Sequence, residues 1–519
     1  MNLQIKIAAR HSDLARLQAY RVGDALMKAH PGLQVHYAFR ASLGDQNLQD
    51  PLWKMPEKGV FTEDFVRDLH EGTADLVVHS WKDLPTEHRP GLTIAATLPR
   101  ADQKDLFLYR RDRHDAVAAS KTLRVLTSSP RRAFNLDSFF RAYLPFEVAD
   151  VVFENVRGNI PTRMRKLLEG EADALIVAKA AVDRLMLAPE PEFEDARDVI
   201  RRTLLATRQM VLPLSLNPTA AAQGALAVEI RSDRDDLKKL LEPIHCASTF
   251  TTVVREREIL ASYGGGCHQK IGVTVLDRSY GRVTYLQGLT DTGQRLNKVS
   301  LDTPLPLPKC ESEDALYPGP DESATFFDRE AVPQAAWAKA ESAKYLWIAR
   351  ETSWPASMKA REDAVVWTAG LKTWKALANR GIWVTGTAES LGEREGESLA
   401  AIAQGLGDSE PTWLKLTHES AAADPSDASV AGSSTRFETA ATYKLVPAVQ
   451  VPELKGRTHF YWMSGSAFDR AVEIFPFLLK SGLHASGPGQ THEHLKRRLI
   501  HSTPFVYLSV DQFRQAALR

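Results

Sequence analysis

The sequence predicts an α/β protein of several domains, and three observations support this prediction. The chain has 519 residues, which is more than one domain usually holds. Over about the first 230 residues, short apolar runs alternate with helical patterns, as in parallel or mixed sheets with helices on both faces. Apolar residues make up 44% of the chain and charged residues 25%, as in ordinary globular proteins. In such sheets, ligands bind at the loops that follow the carboxyl ends of the strands.

Charge and cysteine content argue against several function classes. Lys plus Arg and Asp plus Glu both total 65, so no global basic field points to nucleic acid or an anionic membrane. The three cysteines, Cys246, Cys267 and Cys310, are too few for a disulfide framework and lack the spacing of a zinc site. No apolar run approaches the roughly 20 residues of a membrane span. We therefore expect a cytoplasmic protein without a metal, a nucleic-acid partner or a membrane partner.

The first half of the chain carries strand and helix signals in alternation. Leu3, Ile5 and Ile7 alternate as in a strand, and Ser12 is the predicted N-cap of a helix. Buried strands are predicted at 74–79, 123–126, 151–153 and 174–178. One long helix is predicted over 236–263, followed by antiparallel strands at 271–275 and 283–287, which indicates a small α+β domain.

The composition changes after residue 302. Pro and acidic residues dominate 303–334, which predicts a linker or surface extension. A second globular unit is predicted over 335–519. Its candidate strands are 345–348, 364–367, 382–385 and 459–463.

Two segments after predicted strands combine a helix start with arginines. They are Thr127-Ser128-Ser129-Pro130-Arg131-Arg132 and Arg157-Gly158-Asn159-Ile160-Pro161-Thr162-Arg163. Ser129 and Asn159 can cap helices whose free N–H groups, with the guanidinium groups, would bind a carboxylate or phosphate. Each segment could instead be an ordinary capped helix with solvated arginines. Their recurrence in consecutive βα units favours anion binding.

Two further segments could carry chemistry. Lys82-Asp83 follows a strongly apolar strand, where the carboxylate could be catalytic or could belong to a surface ion pair, the commoner case. Gly264-Gly265-Gly266 precedes Cys267 and could place a nucleophilic thiol in a cleft. A buried structural cysteine is the alternative.

The order of these motifs resembles that of hydroxymethylbilane synthases, also called porphobilinogen deaminases. The matching segments, over about residues 3–290, are AARHSDLARLQA, KMPEKGVF, VVHSWKDLP, TSSPRR, RGNIPTR, AAQGALAVE and GGGCHQKIG. The resemblance implies a transferase that joins four porphobilinogen molecules into linear hydroxymethylbilane. It implies a dipyrromethane cofactor held by a thioether, porphobilinogen and the linear tetrapyrrole as partners, and a monomer.

The resemblance also implies a domain organisation. Two lobes like those of type II periplasmic binding proteins would comprise 1–99 with a return segment 206–235, and 100–205. The small α+β domain, 236–302, would carry the cofactor cysteine.

The resemblance implies roles for individual residues. Cys267 would hold the dipyrromethane, and Asp83 would be the catalytic carboxylate. The implied cofactor-binding residues are Lys82, Asp83, Thr127, Ser128, Ser129, Arg131, Arg132, Arg157, Gly158 and Gln223. The implied substrate-binding residues are Arg10, Ser12, Lys54, Lys58, Ser80, Asn159, Arg163 and Arg184.

The last 185 residues or so resemble a shortened uroporphyrinogen-III synthase. The segments that carry this resemblance are WTAGLKTWKALANRGIWVTGTAESLGE, ATYKLVP, FYWMSGSAFDRA and SGPGQTHEHLKRR. The unit would cyclise hydroxymethylbilane to uroporphyrinogen III, or it would be a non-catalytic domain. For the two lobes, the alternative is an anion-binding module without chemistry.

Overall fold

Five β-sheets and their helices make up the described part of the chain, in a computed structural model that covers 4–41, 63–265, 269–303, 305–320, 322–408, 411–422 and 436–518. Two units are distinguished. The first is Met1–Asp277, Val283–Ser300 and Ala401–Asp408, and the second is Arg278–Arg282, Leu301–Ala400 and Ser409–Arg519. Within the described residues, no helix is both long and apolar enough to cross a membrane.

The strands up to residue 302 belong to three sheets. In chain order they are β1 (Gln4–Arg10), β2 (Gln34–Arg40), β3 (Leu76–Ser80), β4 (Leu92–Ala96), β5 (Asp105–Arg110), β6 (Thr122–Leu126), β7 (Asp150–Glu154), β8 (Ala174–Ala178), β9 (Thr207–Val211), β10 (Leu226–Arg231), β11 (Gly272–Arg278), β12 (Gly281–Leu289) and β13 (Arg295–Asp302). The helices are α1 (Asp13–Ala29), α2 (Glu63–Glu71), α3 (His114–Ser120), α4 (Pro130–Tyr143), α5 (Ile160–Leu168), α6 (Lys179–Met186), α7 (Glu194–Ala206), α8 (Asp235–Leu241) and α9 (Ala247–Ala261). The predicted strands at 74–79, 123–126, 151–153 and 174–178 are confirmed within a residue or two.

The first two sheets share one strand order. They run β2-β1-β3-β10-β4 and β7-β6-β8-β5-β9. In each sheet the first three strands are parallel and the fourth, β10 or β5, is antiparallel to its neighbours. The carboxyl ends of the parallel strands therefore meet at one edge of each sheet, where candidate binding loops follow.

The chain crosses between these two sheets twice. The first crossing, 97–104, joins β4 to β5, and the second, 212–225, joins β9 to β10. The expected return segment 206–235 is therefore divided between the sheets. Its β9 pairs with β5 in the second sheet, and its β10 pairs with β3 and β4 in the first.

The helix predicted over 236–263 is two helices. A single 3-10 turn, Glu242–Ile244, separates α8 from α9. The physical reason is Pro243, which lacks a backbone N–H and clashes with a continuing helix. The strands predicted at 271–275 and 283–287 are confirmed as parts of β11 and β12, which pair in the sheet β11-β12-β13.

A buried carboxylate on α9 contacts both crossings. Glu256 is 0% exposed, and its Oε1 and Oε2 accept hydrogen bonds from Arg100 Nη1 and Nη2, both at 2.8 Å. The same carboxylate accepts from the backbone N–H of Ala222 at 2.7 Å and of Val275 at 2.8 Å. Arg100 lies in the first crossing, Ala222 in the second, and Val275 in β11. One fully paired charge therefore joins both crossings to the third sheet.

After residue 302 the strands form two more sheets. The strands are β14 (Leu316–Tyr317), β15 (Phe327–Ala331), β16 (Tyr345–Ile348), β17 (Val365–Thr368), β18 (Gly386–Thr387), β19 (Thr412–His418), β20 (Arg436–Pro447), β21 (His459–Trp462), β22 (Leu483–Ser486) and β23 (Phe505–Val506). The helices are α10 (Lys339–Ser342), α11 (Leu371–Ala378), α12 (Ala400–Gly405), α13 (Glu419–Ala422), α14 (Gly465–Ile474), α15 (Gln490–Arg498) and α16 (Val510–Leu518). The sheet orders are β15-β20-β19-β16-β17-β18 and β14-β21-β22-β23.

Two expectations for this region need correction. Segment 303–334, predicted as a linker, supplies β14 to the four-stranded sheet and β15 to the six-stranded sheet. Several of its apolar side chains are buried, as for Leu316 at 1% and Phe326 at 2% exposed, which the Pro-rich and acidic composition obscures. The strand predicted at 382–385 lies at Gly386–Thr387 instead.

We expect the Glu256→Gln variant to lower the free energy of unfolding by about 3 kcal/mol, because Arg100 would stay buried without its counter-charge. Urea denaturation followed by circular dichroism measures this loss. The matched control is Glu258→Gln on the same helix. Glu258 is 59% exposed and pairs with Arg255 at 3.4 Å, so its loss should change stability by less than about 1 kcal/mol. Equal losses in both variants would contradict the prediction.

Candidate functional site

Lys82 and Asp83 lie directly after β3, at the carboxyl edge of the first sheet. Trp81–Asp83 forms one turn of 3-10 helix. Trp81 is 3% exposed, packs against Phe250 with ring centroids 5.5 Å apart, and donates its backbone N–H to Ala225 O at 3.1 Å. The buried indole thus anchors the turn, and it leaves Lys82 partly buried and Asp83 exposed.

The loop after β6 has the predicted capped-helix geometry. Ser129 is the N-cap of α4, and its Oγ accepts a hydrogen bond from Arg132 N at 3.4 Å. Pro130 is the first helical residue, where its missing N–H costs nothing. Thr127 is buried, and its Oγ1 accepts from Ser129 N at 3.3 Å. The predicted helix cap at Ser129 is confirmed.

The loop after β7 repeats this geometry. The Oδ1 atom of Asn159 accepts from the backbone N–H of Thr162 at 2.9 Å and from its hydroxyl at 2.8 Å, which confirms the predicted cap of α5. Gly158 has φ +107°, and a Cβ there would lie 2.7 Å from Thr162 Cγ2. Its carbonyl accepts from Arg163 Nε at 2.8 Å. Glycine is therefore required at 158. The side-chain oxygen of Asn159 is occupied by the cap of α5.

A carboxylate that the sequence analysis missed lies beside these loops. Asp105 is the first residue of β5, which runs antiparallel to β8, so it lies at the edge where β8 ends. It accepts from Arg131 Nη2 at 2.9 Å and from Arg132 Nη2 at 2.7 Å. Both arginines, predicted as cofactor ligands, are buried and paired with Asp105.

One cleft collects polar side chains from both sheets and from α9. Its polar lining is Lys82, Thr86, Ser129, Arg131, Arg257 and Gln269. Arg257 donates from Nη1 to Leu84 O at 3.1 Å and from Nη2 to Pro85 O, and so holds the segment after Asp83 against α9. No motif in the sequence singled out Arg257.

The cations of this region act on one another. Burial lowers the pKa of Lys82, and the charges of Arg132 and Arg131 lower it further, while Asp83 and Asp105 oppose the shift. Burial, together with Arg132 and Arg157, lowers the pKa of Arg163 to about 10, and Asp83 opposes it. These like charges lie within electrostatic range of one another and of Asp83. Such a cluster is stabilised by a ligand that carries several carboxylates.

Other predicted site residues have different surroundings. Arg184 is buried and donates from Nη2 to Gly224 O at 2.7 Å in the second crossing. Gln223 is 1% exposed, donates from Nε2 to Gln103 O at 2.7 Å, and accepts from Lys82 Nζ at 3.4 Å. These two side chains therefore support the crossing through these contacts.

Of the remaining predicted residues, Arg10 is the last residue of β1, which runs parallel to β3, and Ser12 lies at the N-cap of α1. Ser80 Oγ donates to Gln18 Oε1 at 3.0 Å. Ser128 is half-buried in the loop before α4. Cys267, Lys54 and Lys58 lie outside the described residues.

Comparison with known sequences gives consistent matches over the first half of the chain. A family model described as porphobilinogen deaminase, dipyromethane cofactor binding domain, matches residues 5–239. A porphobilinogen deaminase from Roseiflexus sp. (strain RS-1) is 36% identical over 272 residues, which cover 52% of this chain and 81% of that protein. One from Roseiflexus castenholzii is 34% identical over 305 residues, which cover 58% of this chain and 92% of that protein.

Among solved structures, the BenM effector binding domain with benzoate covers 51% of this chain and 95% of its own, at 14% identity. The TM-score is 0.26, which supports no conclusion on fold or ligand. The family assignment rests on the sequence relatives. The chain belongs to the porphobilinogen deaminase family, and its N-terminal region is that family's dipyrromethane cofactor-binding domain.

Proposed function

We propose that the first unit is a hydroxymethylbilane synthase that joins porphobilinogen units on a dipyrromethane primer. The observation that carries the proposal is the cationic cleft at the edges of the two sheets, with Lys82, Ser129 and Arg131 in its lining. The shared strand order of the two sheets and their double crossing are what two type II binding-protein-like lobes would require.

The chemistry of the substrate fits these donors. Each porphobilinogen carries an acetate and a propionate, so every added unit brings two more carboxylates into the cleft. The guanidinium groups attract these carboxylates by their charge, and the ammonium of Lys82 adds a point charge. The dipyrromethane, with four carboxylates, fits the same donor set. When bound, it supplies the pyrrole carbon to which the first substrate unit is joined.

Asp83 is the proposed catalytic carboxylate. Loss of ammonia from porphobilinogen leaves a cationic azafulvene, and a fixed negative charge lowers the energy of forming it. Asp83 is exposed at the end of the anchored Trp81–Asp83 turn, within electrostatic range of Lys82 and Arg163. These cations hold the acidic side chains of the substrate near it.

Cys267 is the proposed attachment point, and its chain neighbours support this. Gln269 lines the cleft, as does Thr86. A Cβ on Gly265 would lie 2.4 Å from Thr86 Oγ1, so the backbone at 265 passes close to the same wall. The described residues nearest Cys267 on both sides therefore lie at or beside the cleft, which supports the proposed attachment point.

Intact mass spectrometry of the full chain after incubation with porphobilinogen tests the attachment. We expect a covalent increment of two pyrrole units in the wild-type protein and none in Cys267→Ala, because the thioether has no sulfur to form on. Cys246→Ala and Cys310→Ala are matched controls, since both thiols are free in the structure, and both should keep the increment. An increment that persists in Cys267→Ala would refute the attachment.

The Asp83→Asn variant should keep the covalent increment but release ammonia from porphobilinogen about a hundredfold more slowly, because the cationic intermediate loses its counter-charge. The control is Glu87→Gln, an exposed carboxylate in the segment that follows, which should retain the wild-type rate. Ammonia release by Asp83→Asn at the wild-type rate would exclude the assigned role.

For the second unit we propose a uroporphyrinogen-III synthase activity. The carboxyl ends of β16 and β19 in one sheet and of β21 in the other meet through two contacts. His418 Nε2 lies 3.4 Å from Ser466 Oγ, and Arg350 Nη2 donates to Met463 O at 3.4 Å. Burial lowers the pKa of Arg350 and the charge of Arg329 lowers it further, so two cations stand near this edge. An acidic linear tetrapyrrole, the product of the first unit, suits such a site.

The isomer formed from porphobilinogen by the full chain tests this second activity. We expect uroporphyrinogen III from the wild-type protein, and a type III share about tenfold lower in Arg350→Ala, which loses one charge-assisted carboxylate contact. Arg361→Ala removes an exposed arginine that pairs with Asp363 and should leave the isomer ratio unchanged. Only type I product from the wild-type protein would refute the cyclase and leave the synthase proposal intact.

A further inference from the structure

Asp105 lies beside the cleft, and its carboxylate accepts five hydrogen bonds. It is 0% exposed. Its Oδ1 accepts from Arg132 Nη2 at 2.7 Å, and its Oδ2 accepts from Arg132 Nε at 3.1 Å and from Arg131 Nη2 at 2.9 Å. The fork of Arg132 is thus held bidentately, a geometry that fixes the plane of a guanidinium group.

Two neutral side chains complete the arrangement. Asn217 donates from Nδ2 to Asp105 Oδ2 at 2.9 Å and accepts from Arg131 Nη1 at 2.8 Å, which closes a triangle. Gln223 donates from Nε2 to Asp105 Oδ1 at 2.8 Å and accepts from Lys82 Nζ at 3.4 Å. One carboxylate of the second sheet is therefore connected to the lysine that precedes Asp83 in the first.

The Asp105 carboxyl group is ionised. Burial opposes its ionisation, but Arg132 and Arg131 together hold the pKa of this carboxyl far below its usual range. An ionised, buried carboxylate keeps both guanidinium groups paired. Asp105 does not line the cleft, whereas Lys82 and Arg131 do, so it acts through them.

We propose that Asp105 is a positioning residue for the synthase reaction, which sets the orientation of Arg131 and Arg132 directly and of Lys82 through Gln223. The inference rests on the proposed function, because the cations it orients are the proposed carboxylate ligands. Without Asp105, the two guanidinium groups would repel each other and lose their fixed planes. Binding of acidic substrate would then weaken more than the chemical step.

The test compares Asp105→Asn with Asp173→Asn in the full-length holoprotein. Asp173 is a matched control because it is 2% exposed, pairs with Arg113 at 2.9 Å, accepts from Arg124 N at 2.9 Å, and lies at the opposite end of the β5–β8 pair. Both variants should lower the melting temperature. At a temperature where both are folded, we expect KM for porphobilinogen to rise about tenfold in Asp105→Asn alone.

Two further measurements separate the outcomes. The share of protein that carries the covalent increment should fall in Asp105→Asn and stay at the wild-type level in Asp173→Asn. An active wild-type protein with wild-type KM and occupancy in Asp105→Asn would overturn this inference alone. A wild-type protein that releases no ammonia would overturn the proposed function and this inference with it.

If Asp105→Asn does not fold, Asn217→Leu replaces it. This variant keeps the carboxylate and the two arginines but opens the triangle, and KM should rise about threefold because Arg131 loses one of its fixed partners. An unchanged KM in folded Asn217→Leu would overturn the positioning role.

Discussion

The pairing of Glu256 with Arg100 is the constraint on which the architecture of the first unit depends. It joins both crossings and β11 to α9, so the two sheets cannot move at their junction without breaking a buried charge pair. The next residue on the same helix, Arg257, binds the carbonyl groups of Leu84 and Pro85. One turn of α9 therefore sets the junction of the sheets and the segment after Asp83 together.

Buried charge also determines the properties of the cleft, where several cationic side chains lie close together. Lys82, Arg131 and Arg163 each have a lowered pKa, with burial as the main cause. The protein balances part of this charge internally through Asp105 and leaves Asp83 exposed. The cleft therefore keeps an excess of positive charge. Such a cleft suits a ligand that carries several carboxylates and gains more carboxylates with each unit joined to it.

The sequence was informative where the determining interactions are local. Ser129 and Asn159 were predicted as caps because a cap and its helix are a few residues apart, and both cap as expected. Asp105 and Glu256 were not predicted because their partners are remote. The separations are 118 residues from Asp105 to Gln223 and 156 residues from Arg100 to Glu256. The family resemblance pointed to the loops of the candidate site but not to the buried carboxylate that pairs with its arginines.

In the second unit the sequence-based prediction was wrong for a different reason, because the local composition indicated a linker where the structure has strands. Pro-rich and acidic residues dominate 303–334, yet this segment supplies an edge strand to each of the two sheets. Edge strands commonly carry charged residues and Pro, which discourage pairing with another chain, and here Leu316 and Phe326 supply buried contacts. The unit therefore begins near Leu301 rather than at 335. Its apparent shortness in the sequence reflects two strands, β14 and β15, that lie in the Pro-rich segment and complete a four-stranded and a six-stranded sheet.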